Sequence, residues 1–164
     1  VNRCYYCKQG VFGTILEAAK NDGMTVILEG TNASDDADDR PGMKALQEMK
    51  VLSPLRMCGY VKSEIRKQSK EAGLFVYNKP SYACLATRIP TGTEIDEEKI
   101  KQVETAETFL FDLGFSDFRV RWMDNKAKIQ MPESQLQALM EKREVVLEEL
   151  SKIFDEVLLD LRTR

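Results

Sequence analysis

Three side chains with chemical potential lie within five residues near the middle of the chain: the Cys84 thiol, the Thr87 hydroxyl and the Arg88 guanidinium. Lys79 precedes Pro80, and a residue before proline is disfavoured in a helix, so the segment begins extended or as a loop. A guanidinium binds anions through paired hydrogen bonds, and an ionised thiol is a nucleophile. The segment therefore predicts a place where an anionic substrate meets a reactive sulfur; a buried, unreactive cysteine is the alternative.

The other cysteines extend this chemistry. Cys4 and Cys7 form a CxxC pair, which places two thiolates within reach of one metal or of each other. The chain contains no histidine, so the commonest metal ligand and general base are both absent. Three thiols suit an iron–sulfur cluster, four including Cys58 suit structural zinc, and unliganded thiols are the third possibility. We favour the three-thiol cluster of Cys4, Cys7 and Cys84.

Two further arginines, Arg119 and Arg121, alternate with the apolar residues Val120 and Trp122. The period of two predicts a strand with both guanidinium groups on one face. Together with Arg88 they could clamp a phosphate or a dicarboxylate. A solvated outer face of a sheet is the alternative.

An apolar run at residues 24–28 ends in a glycine turn at residues 29–32. The run predicts a buried parallel strand, and open α/β sheets bind ligands at the carboxyl ends of such strands. The acidic loop that follows could supply one or two carboxylates to a magnesium–nucleotide site, or it could stay solvated. The candidate nucleotide-binding residues are Gly30, Thr31, Asn32 and Asp35, and the other loop carboxylates are Asp36, Asp38 and Asp39.

Composition indicates a soluble protein in two parts. Hydrophobic residues make up 43% and charged residues 31%, and no apolar run reaches membrane-spanning length. Residues 1–92 carry a charge balance of +3 and residues 93–164 one of −6, so neither part is basic enough to indicate nucleic acid as the main partner. Four cysteines are too few for a secreted disulfide framework, which favours the cytoplasm.

The second part has a clear element pattern. It predicts a helix from Glu97 to Leu113, a hairpin over residues 118–131 turning at Asp124 and Asn125, a helix from Pro132 to about Ile153, and a last strand. This order predicts a small antiparallel sheet covered by helices, which is an α+β domain.

Several segments, taken in order, resemble the LarE-type ATP-dependent sulfur transferases of the PP-loop ATP pyrophosphatase superfamily. They are VNRCYYCK, EGTNASDDADDRPG, SPL, KSEIRKQSKEAGL, NKPSYACLATRIPTG and RVRW. The resemblance runs from Asn2 to about Met131; KPxxACLATRIPxG is its most specific part, whereas GTNxxD alone indicates only the superfamily. It implies an α/β fold: residues 1–92 as the C-terminal part of the nucleotide-binding domain, with a partial Rossmann-like (adenine nucleotide alpha hydrolase-like) parallel sheet. Residues 93–164 then form a small α+β domain for substrate binding and homo-oligomerisation.

The resemblance also implies an activity. Such enzymes use ATP and Mg²⁺ to adenylate a carboxylate of pyridinium-3,5-biscarboxylic acid mononucleotide and then insert sulfur, in the biosynthesis of the nickel-pincer nucleotide cofactor. In one branch the cysteine matching Cys84 is sacrificed and ends as dehydroalanine. In the other branch that cysteine and a CxxC pair hold a four-iron cluster whose extra sulfide is the donor. Cys4 and Cys7 place this chain in the cluster branch. The substrate-binding residues would be Thr87, Arg88, Arg119 and Arg121.

Some features depart from the family pattern and leave alternatives open. The SGGxDS pyrophosphate-binding loop is absent from this sequence, so we expect the fragment alone to be inactive. Gln130 stands where a glutamate is expected, and Cys58 lies outside the pattern as a packing residue. A tRNA-thiolating PP-loop enzyme is one alternative, although it would need a broad basic surface. A non-enzymatic zinc module built on all four cysteines is another.

Overall fold

The alternating residues 118–131 form the first two strands of a three-stranded sheet in the second half of the chain. The computed structural model describes residues 2–35 and 41–162. It divides the chain into two units, Val1–Lys79 and Pro80–Arg164. The predicted domain boundary, after Gly92, lies inside the second unit.

The first unit is helical and has a small apolar core. Its helices are α1 (Arg3–Asn21), α2 (Pro41–Glu48), α3 (Pro54–Met57) and α4 (Lys62–Glu71). Met43, Leu46 and Val51 form the core, and Phe12 of α1 and Ile27 pack against it. A hydrogen bond of 2.6 Å from the Tyr5 hydroxyl to Glu48 ties the start of α1 to the end of α2.

The predicted strand at residues 24–28 is reduced to one parallel bridge, between Leu28 and Leu52. Met24, Val26 and Leu28 are 64%, 58% and 60% exposed, so the prediction that this run is buried is wrong. A strand becomes buried only when neighbours pair with it and cover its faces, and the described residues supply a single bridged neighbour. The Rossmann-like sheet therefore stays a prediction.

The second unit carries the sheet, whose hairpin is confirmed. Its elements are a 3₁₀ helix (Leu85–Arg88), α5 (Glu97–Asp112), β1 (Arg119–Met123), β2 (Lys126–Gln130), a second 3₁₀ helix (Glu133–Gln135), α6 (Leu136–Glu141), α7 (Arg143–Leu150) and β3 (Glu156–Leu159). Asp124 and Asn125 both have positive φ, at 46° and 60°. Two such residues are what a tight hairpin turn between twisted strands requires.

The sheet is mixed, which corrects the prediction of an antiparallel sheet. β1 and β2 are antiparallel, but β3 runs parallel to β2. The helices between β2 and β3 carry the chain back across the sheet, so the third strand enters in the same direction as the second. The predicted long helix is also broken, because α6 ends at Glu141 and α7 begins at Arg143.

The core of the second unit lies between the sheet and its helices. Val103, Ala106 and Leu110 of α5 are fully buried with Val120 and Ala127 of the sheet. Alternate positions point to the opposite face of the sheet, where the polar side chains lie. That face supports the candidate site. Within residues 2–35 and 41–162, no helix is long and apolar enough to cross a membrane.

Candidate functional site

Cys84 is an exposed free thiol at the start of the 3₁₀ helix Leu85–Arg88. Its carbonyl accepts two hydrogen bonds from Thr87, one from the backbone N–H at 2.9 Å and one from the hydroxyl at 2.7 Å. Residues 80–84 belong to neither a helix nor a strand. The position of the thiol therefore depends on whatever holds the backbone of this segment.

Three arginines hold that backbone. Each donates from its guanidinium to one main-chain carbonyl within residues 81–87: Arg88 to Ala83, Arg119 to Ser81 and Arg121 to Thr87. We call these three arginines the carbonyl clamp. They are the same arginines that the sequence predicts as anion ligands. The structure thus places the predicted arginines next to the segment that carries Cys84. The contacts that hold them there are hydrogen bonds to its main-chain carbonyls.

Arg88 is the most buried member of the carbonyl clamp, with 1% of its surface exposed. Its Nε and Nη2 donate to the two carboxylate oxygens of Glu107, at 2.6 and 3.0 Å. Its Nη1 donates to the Ala83 carbonyl at 3.2 Å and to the Thr87 hydroxyl at 3.0 Å. Because these N–H groups already have protein acceptors, direct contact of Arg88 with a substrate stays a prediction.

Arg119 is also buried, and it contacts the segment through the Ser81 carbonyl and the Tyr82 ring. It is 4% exposed, and its Nη1 donates to the Phe118 carbonyl at 2.6 Å. Its guanidinium carbon lies 4.9 Å from the centre of the Tyr82 ring, within range of a cation–π contact. The Tyr82 hydroxyl accepts from the Asp117 N–H at 3.2 Å. Burial raises the pKa of the Tyr82 phenol above its usual range, although the Asp117 N–H opposes that shift.

Arg121 is oriented by a chain of polar side chains across the sheet. Its Nε donates to the amide oxygen of Gln130 at 2.8 Å. The amide nitrogen of Gln130 donates to Asp160 at 2.8 Å, and the Lys128 ammonium lies 3.0 Å from the same carboxylate oxygen. The Gln130 amide, the Lys128 ammonium and Arg162 hold the pKa of the Asp160 carboxyl well below its usual range. Gln130 is thus a structural link.

A cavity of about 270 Å³ opens beside this chain. Thr87, Arg88 and Arg121 line it together with Lys128 and Gln130. Its cationic lining suits an anionic group such as a carboxylate or a phosphate. Three of the four predicted substrate-binding residues therefore line the cavity, namely Thr87, Arg88 and Arg121. The fourth, Arg119, is not among its lining residues.

The predicted nucleotide loop lies in the first unit and is ordered by Glu29. One carboxylate oxygen of Glu29 accepts from the backbone N–H and the hydroxyl of Thr31, at 3.0 and 2.6 Å. The other accepts from the Ser53 hydroxyl. The Asp35 carboxylate accepts from the N–H and the side chain of Asn32, at 3.1 and 2.8 Å. Gly30, between Glu29 and Thr31, is exposed.

The bridge between Leu28 and Leu52 explains why this loop faces Ser53. Both segments run in the same direction, so their carboxyl ends lie side by side. The Arg56 guanidinium then reaches the Asp35 carbonyl at 2.6 Å. The remaining predicted loop carboxylates, Asp36, Asp38 and Asp39, lie outside the described residues.

The two thiols of the CxxC pair are exposed on the first turns of α1. Their spacing of three puts Cys4 and Cys7 on one side of that helix, where two thiolates could bind one iron or zinc. Cys58 is also exposed, at the end of α3, which differs from the packing role predicted for it. In the part of the chain that the structure describes, no three His, Cys, Asp or Glu side chains are placed together as metal ligands. Cys84 belongs to the second unit.

Sequence reasoning missed Glu107 and Asp160. Glu107 sits one turn from Val103 and Leu110 on the buried face of α5, and it is 4% exposed. A charged residue on the apolar stripe of a helix is a detectable signal, because charges are buried only when they are paired. Asp160 gives no such signal, since its role follows from the parallel placement of β3 beside β2.

Comparison with known proteins identifies relatives over most of the chain, although no protein-family profile matches it. The chain is 38% identical over 153 residues to an uncharacterised protein of Synechocystis, covering 93% of this chain and 56% of that protein. It is 34% identical over 132 residues to the pyridinium-3,5-bisthiocarboxylic acid mononucleotide synthase of Lactiplantibacillus plantarum, covering 80% and 48%. An uncharacterised protein of Methanocaldococcus jannaschii is 31% identical over 144 residues, covering 88% and 56%. The chain spans about half the length of the curated relatives it matches.

Proposed function

We propose that the chain is part of a LarE-type, ATP-dependent sulfur transferase. The enzyme adenylates a carboxylate of pyridinium-3,5-biscarboxylic acid mononucleotide and replaces one carboxylate oxygen by sulfur, on the way to a nickel-pincer nucleotide cofactor. The first unit contributes to the nucleotide site and the second unit carries Cys84 and the substrate cavity. The protein acts as a homo-oligomer in the cytoplasm.

One observation carries this proposal: an exposed thiol begins the same 3₁₀ helix whose last residues line a cationic cavity. Sulfur transfer to an anionic, activated carboxylate needs a sulfur ligand or donor beside a site for negative charge. The 34% identity with the bisthiocarboxylic acid mononucleotide synthase supports the same substrate class.

Adenylation prepares the carboxylate for attack. The carboxylate displaces pyrophosphate from ATP and becomes an acyl adenylate, whose AMP is a good leaving group. A sulfur nucleophile then forms a C–S bond at the acyl carbon, and AMP leaves with the electron pair of the broken C–O bond. A thiolate or sulfide needs no histidine base for this attack, which fits a chain without histidine.

Within the cavity, the roles follow from position. Arg121 and Lys128 would hold the anionic substrate, with the Thr87 hydroxyl beside them. The family resemblance assigns Arg88 and Arg119 to substrate. Since both are buried, they would act indirectly, through the main-chain carbonyls near Cys84 to which they donate. Gly30, Thr31, Asn32 and Asp35 would bind ATP and Mg²⁺ at the carboxyl ends of the two bridged segments.

Cys4, Cys7 and Cys84 are the residues that would hold a four-iron cluster. Exposed cysteines spaced by three on a helix suit an iron site, and the lack of histidine in this sequence favours all-sulfur ligation. When bound, the cluster would supply the sulfide that attacks the acyl adenylate.

The test is a two-product assay on the full-length protein with ATP, Mg²⁺ and pyridinium-3,5-biscarboxylic acid mononucleotide. Pyrophosphate release measures adenylation, and mass spectrometry measures the exchange of one oxygen for one sulfur. Both products are expected, and both should require the nucleotide substrate. Pyrophosphate release that depends on tRNA instead would replace this proposal by a tRNA-thiolating activity. A protein that forms neither product is not a sulfur transferase of this class.

A further inference from the structure

Glu107 is a buried carboxylate that joins three elements of the second unit. It projects from α5 and accepts two hydrogen bonds from Arg88, which ends the 3₁₀ helix, at 2.6 and 3.0 Å. It also accepts the backbone N–H of Val120 in β1, at 2.9 Å. With 4% of its surface exposed, Glu107 is not accessible to a substrate in the cavity.

The ion pair fixes the direction of the remaining Arg88 donors. A guanidinium is planar and rigid, so two bonds to Glu107 set where Nη1 points. Nη1 reaches the Ala83 carbonyl at 3.2 Å and the Thr87 hydroxyl at 3.0 Å. One of these acceptors precedes Cys84 in the chain and the other follows it. Thr87 in turn donates twice to the Cys84 carbonyl.

This arrangement does more than stabilise the fold. A buried ion pair contributes little stability over an apolar pair of similar shape, so stability alone is a weak reason for it. Residues 80–84 lie outside helices and strands, and the Ser81, Ala83 and Cys84 carbonyls accept from the side chains of Arg119, Arg88 and Thr87. Loops that carry chemistry are held by the scaffold beneath them.

We propose that Glu107 is a positioning residue for Cys84. It orients Arg88, and Arg88 holds the backbone before the thiol and the Thr87 hydroxyl after it. The catalytic meaning of this inference rests on the proposed sulfur transfer, whereas its structural part does not. The position of the thiol matters because a misplacement of about 1 Å can lower a rate by about 10²-fold.

The test uses the paired variant Arg88→Met/Glu107→Gln in the full-length protein. Both charges are removed together, so neither is left buried without its partner, and the glutamine oxygen can still accept the Val120 N–H. Amide hydrogen exchange of the peptide covering 81–87 and the alkylation rate of Cys84 by iodoacetamide, read by peptide mass spectrometry, report the segment directly. Sulfur transferred per pyrophosphate released reports its effect on chemistry.

The expected result is faster exchange over 81–87, a changed Cys84 alkylation rate and a ratio of transfer to pyrophosphate lower by about 10²-fold. Wild-type values for exchange and alkylation would overturn the inference. Leu139→Ala is the matched control, since Leu139 is buried on α6 in the same unit, and its truncation should leave exchange over 81–87 and Cys84 alkylation at their wild-type values. If the wild-type protein transfers no sulfur, the proposed function fails while exchange and alkylation still decide the positioning role.

A second variant covers the case in which the paired variant does not fold. Arg88→Lys keeps a positive charge for Glu107, but a single ammonium cannot span Glu107, the Ala83 carbonyl and the Thr87 hydroxyl at once. The same faster exchange over 81–87 is expected. Arg88→Lys with wild-type exchange and wild-type transfer would overturn the inference.

Discussion

The side-chain amide of Gln130 donates to the Asp160 carboxylate at 2.8 Å, and its amide oxygen accepts from Arg121 at 2.8 Å. The two contacts use opposite ends of the amide, so they fix which way it faces. A glutamate could accept from Arg121 but could not donate to Asp160. The contact with Asp160 therefore explains why a glutamine stands at position 130, where a glutamate is expected from the sequence.

Asp160 should make the second unit more stable at neutral pH than in acid. The pKa of its carboxyl is lowered in the folded state, while the unfolded value is about 3.9. The unfolded chain thus binds the proton first, so this contribution is present above about pH 4 and is lost as the pH falls through the lower folded pKa. The free energy of unfolding should depend less on pH in Asp160→Asn than in the wild type.

Trp122 gives the measurement for this prediction. It is the chain's single tryptophan, and it is buried in the second unit, so its fluorescence in urea follows the unfolding of that unit. Asp112→Asn, at an exposed position of α5, is the control and should keep the wild-type pH dependence. Parallel pH profiles for Asp160→Asn and the wild type would contradict the role given to Asp160.

Replacing Cys84 by alanine should abolish sulfur transfer and leave adenylation. The thiol is exposed, so replacing it should leave no cavity in the core of the unit. Pyrophosphate and the sulfur-containing product are measured separately in the full-length enzyme. Cys58→Ala, which removes another exposed thiol, should keep both products. Sulfur transfer that survives in Cys84→Ala would exclude both the sacrificial and the cluster-dependent donor.

The full-length protein purified without oxygen should contain iron and acid-labile sulfide. Cys4→Ser and Cys7→Ser should each lose both, because each removes one thiolate ligand. Cys58→Ser should retain them and serves as the matched variant. Zinc that is lost in Cys58→Ser would instead indicate a four-cysteine structural site. A metal-free enzyme whose Cys84 loses one sulfur and two hydrogens during turnover would indicate sacrificial chemistry.

The single variant Arg88→Met should be strongly destabilised. It leaves the Glu107 carboxylate buried without its cation, and breaking a buried ion pair on one side costs about 3–5 kcal/mol. Urea unfolding followed by Trp122 fluorescence measures the loss. Lys101→Met, an exposed change on α5, should stay within about 0.5 kcal/mol of the wild type. Equal stability of the two variants would show that the pair is not energetically important.

The sequence predicts the second unit well because its signals are local. Asp96 precedes α5 and its side chain accepts the Lys99 N–H, so it caps that helix. This cap, the apolar stripe of α5 and the alternation around Trp122 each act within a few residues. The parallel direction of β3 is not local, since it depends on how the helices between β2 and β3 return the chain. The prediction that residues 24–28 are buried failed for a similar reason, because the burial of a strand depends on the strands that pair with it.

The candidate site shows the same division. The residue types and their spacing predict that arginines gather near Cys84. In the structure three arginines donate to main-chain carbonyls of that segment. What they bind could not be predicted, because a guanidinium has the same geometry toward a carbonyl, a carboxylate or a phosphate. Only the burial of Arg88 and Arg119 separates these possibilities.

The parallel entry of β3 has a consequence for how the unit tolerates shortening. Arg119 faces Gln130 across the hairpin, and the parallel direction of β3 brings Asp160, the residue after that strand, to the same end, so these three residues form one row across the sheet. Had β3 run the other way, its opposite end, with Glu156, would have faced Gln130. β3 therefore supports residues that lie far earlier in the chain. Its removal would loosen the wall of the cavity, because Gln130 would lose its contact with Asp160.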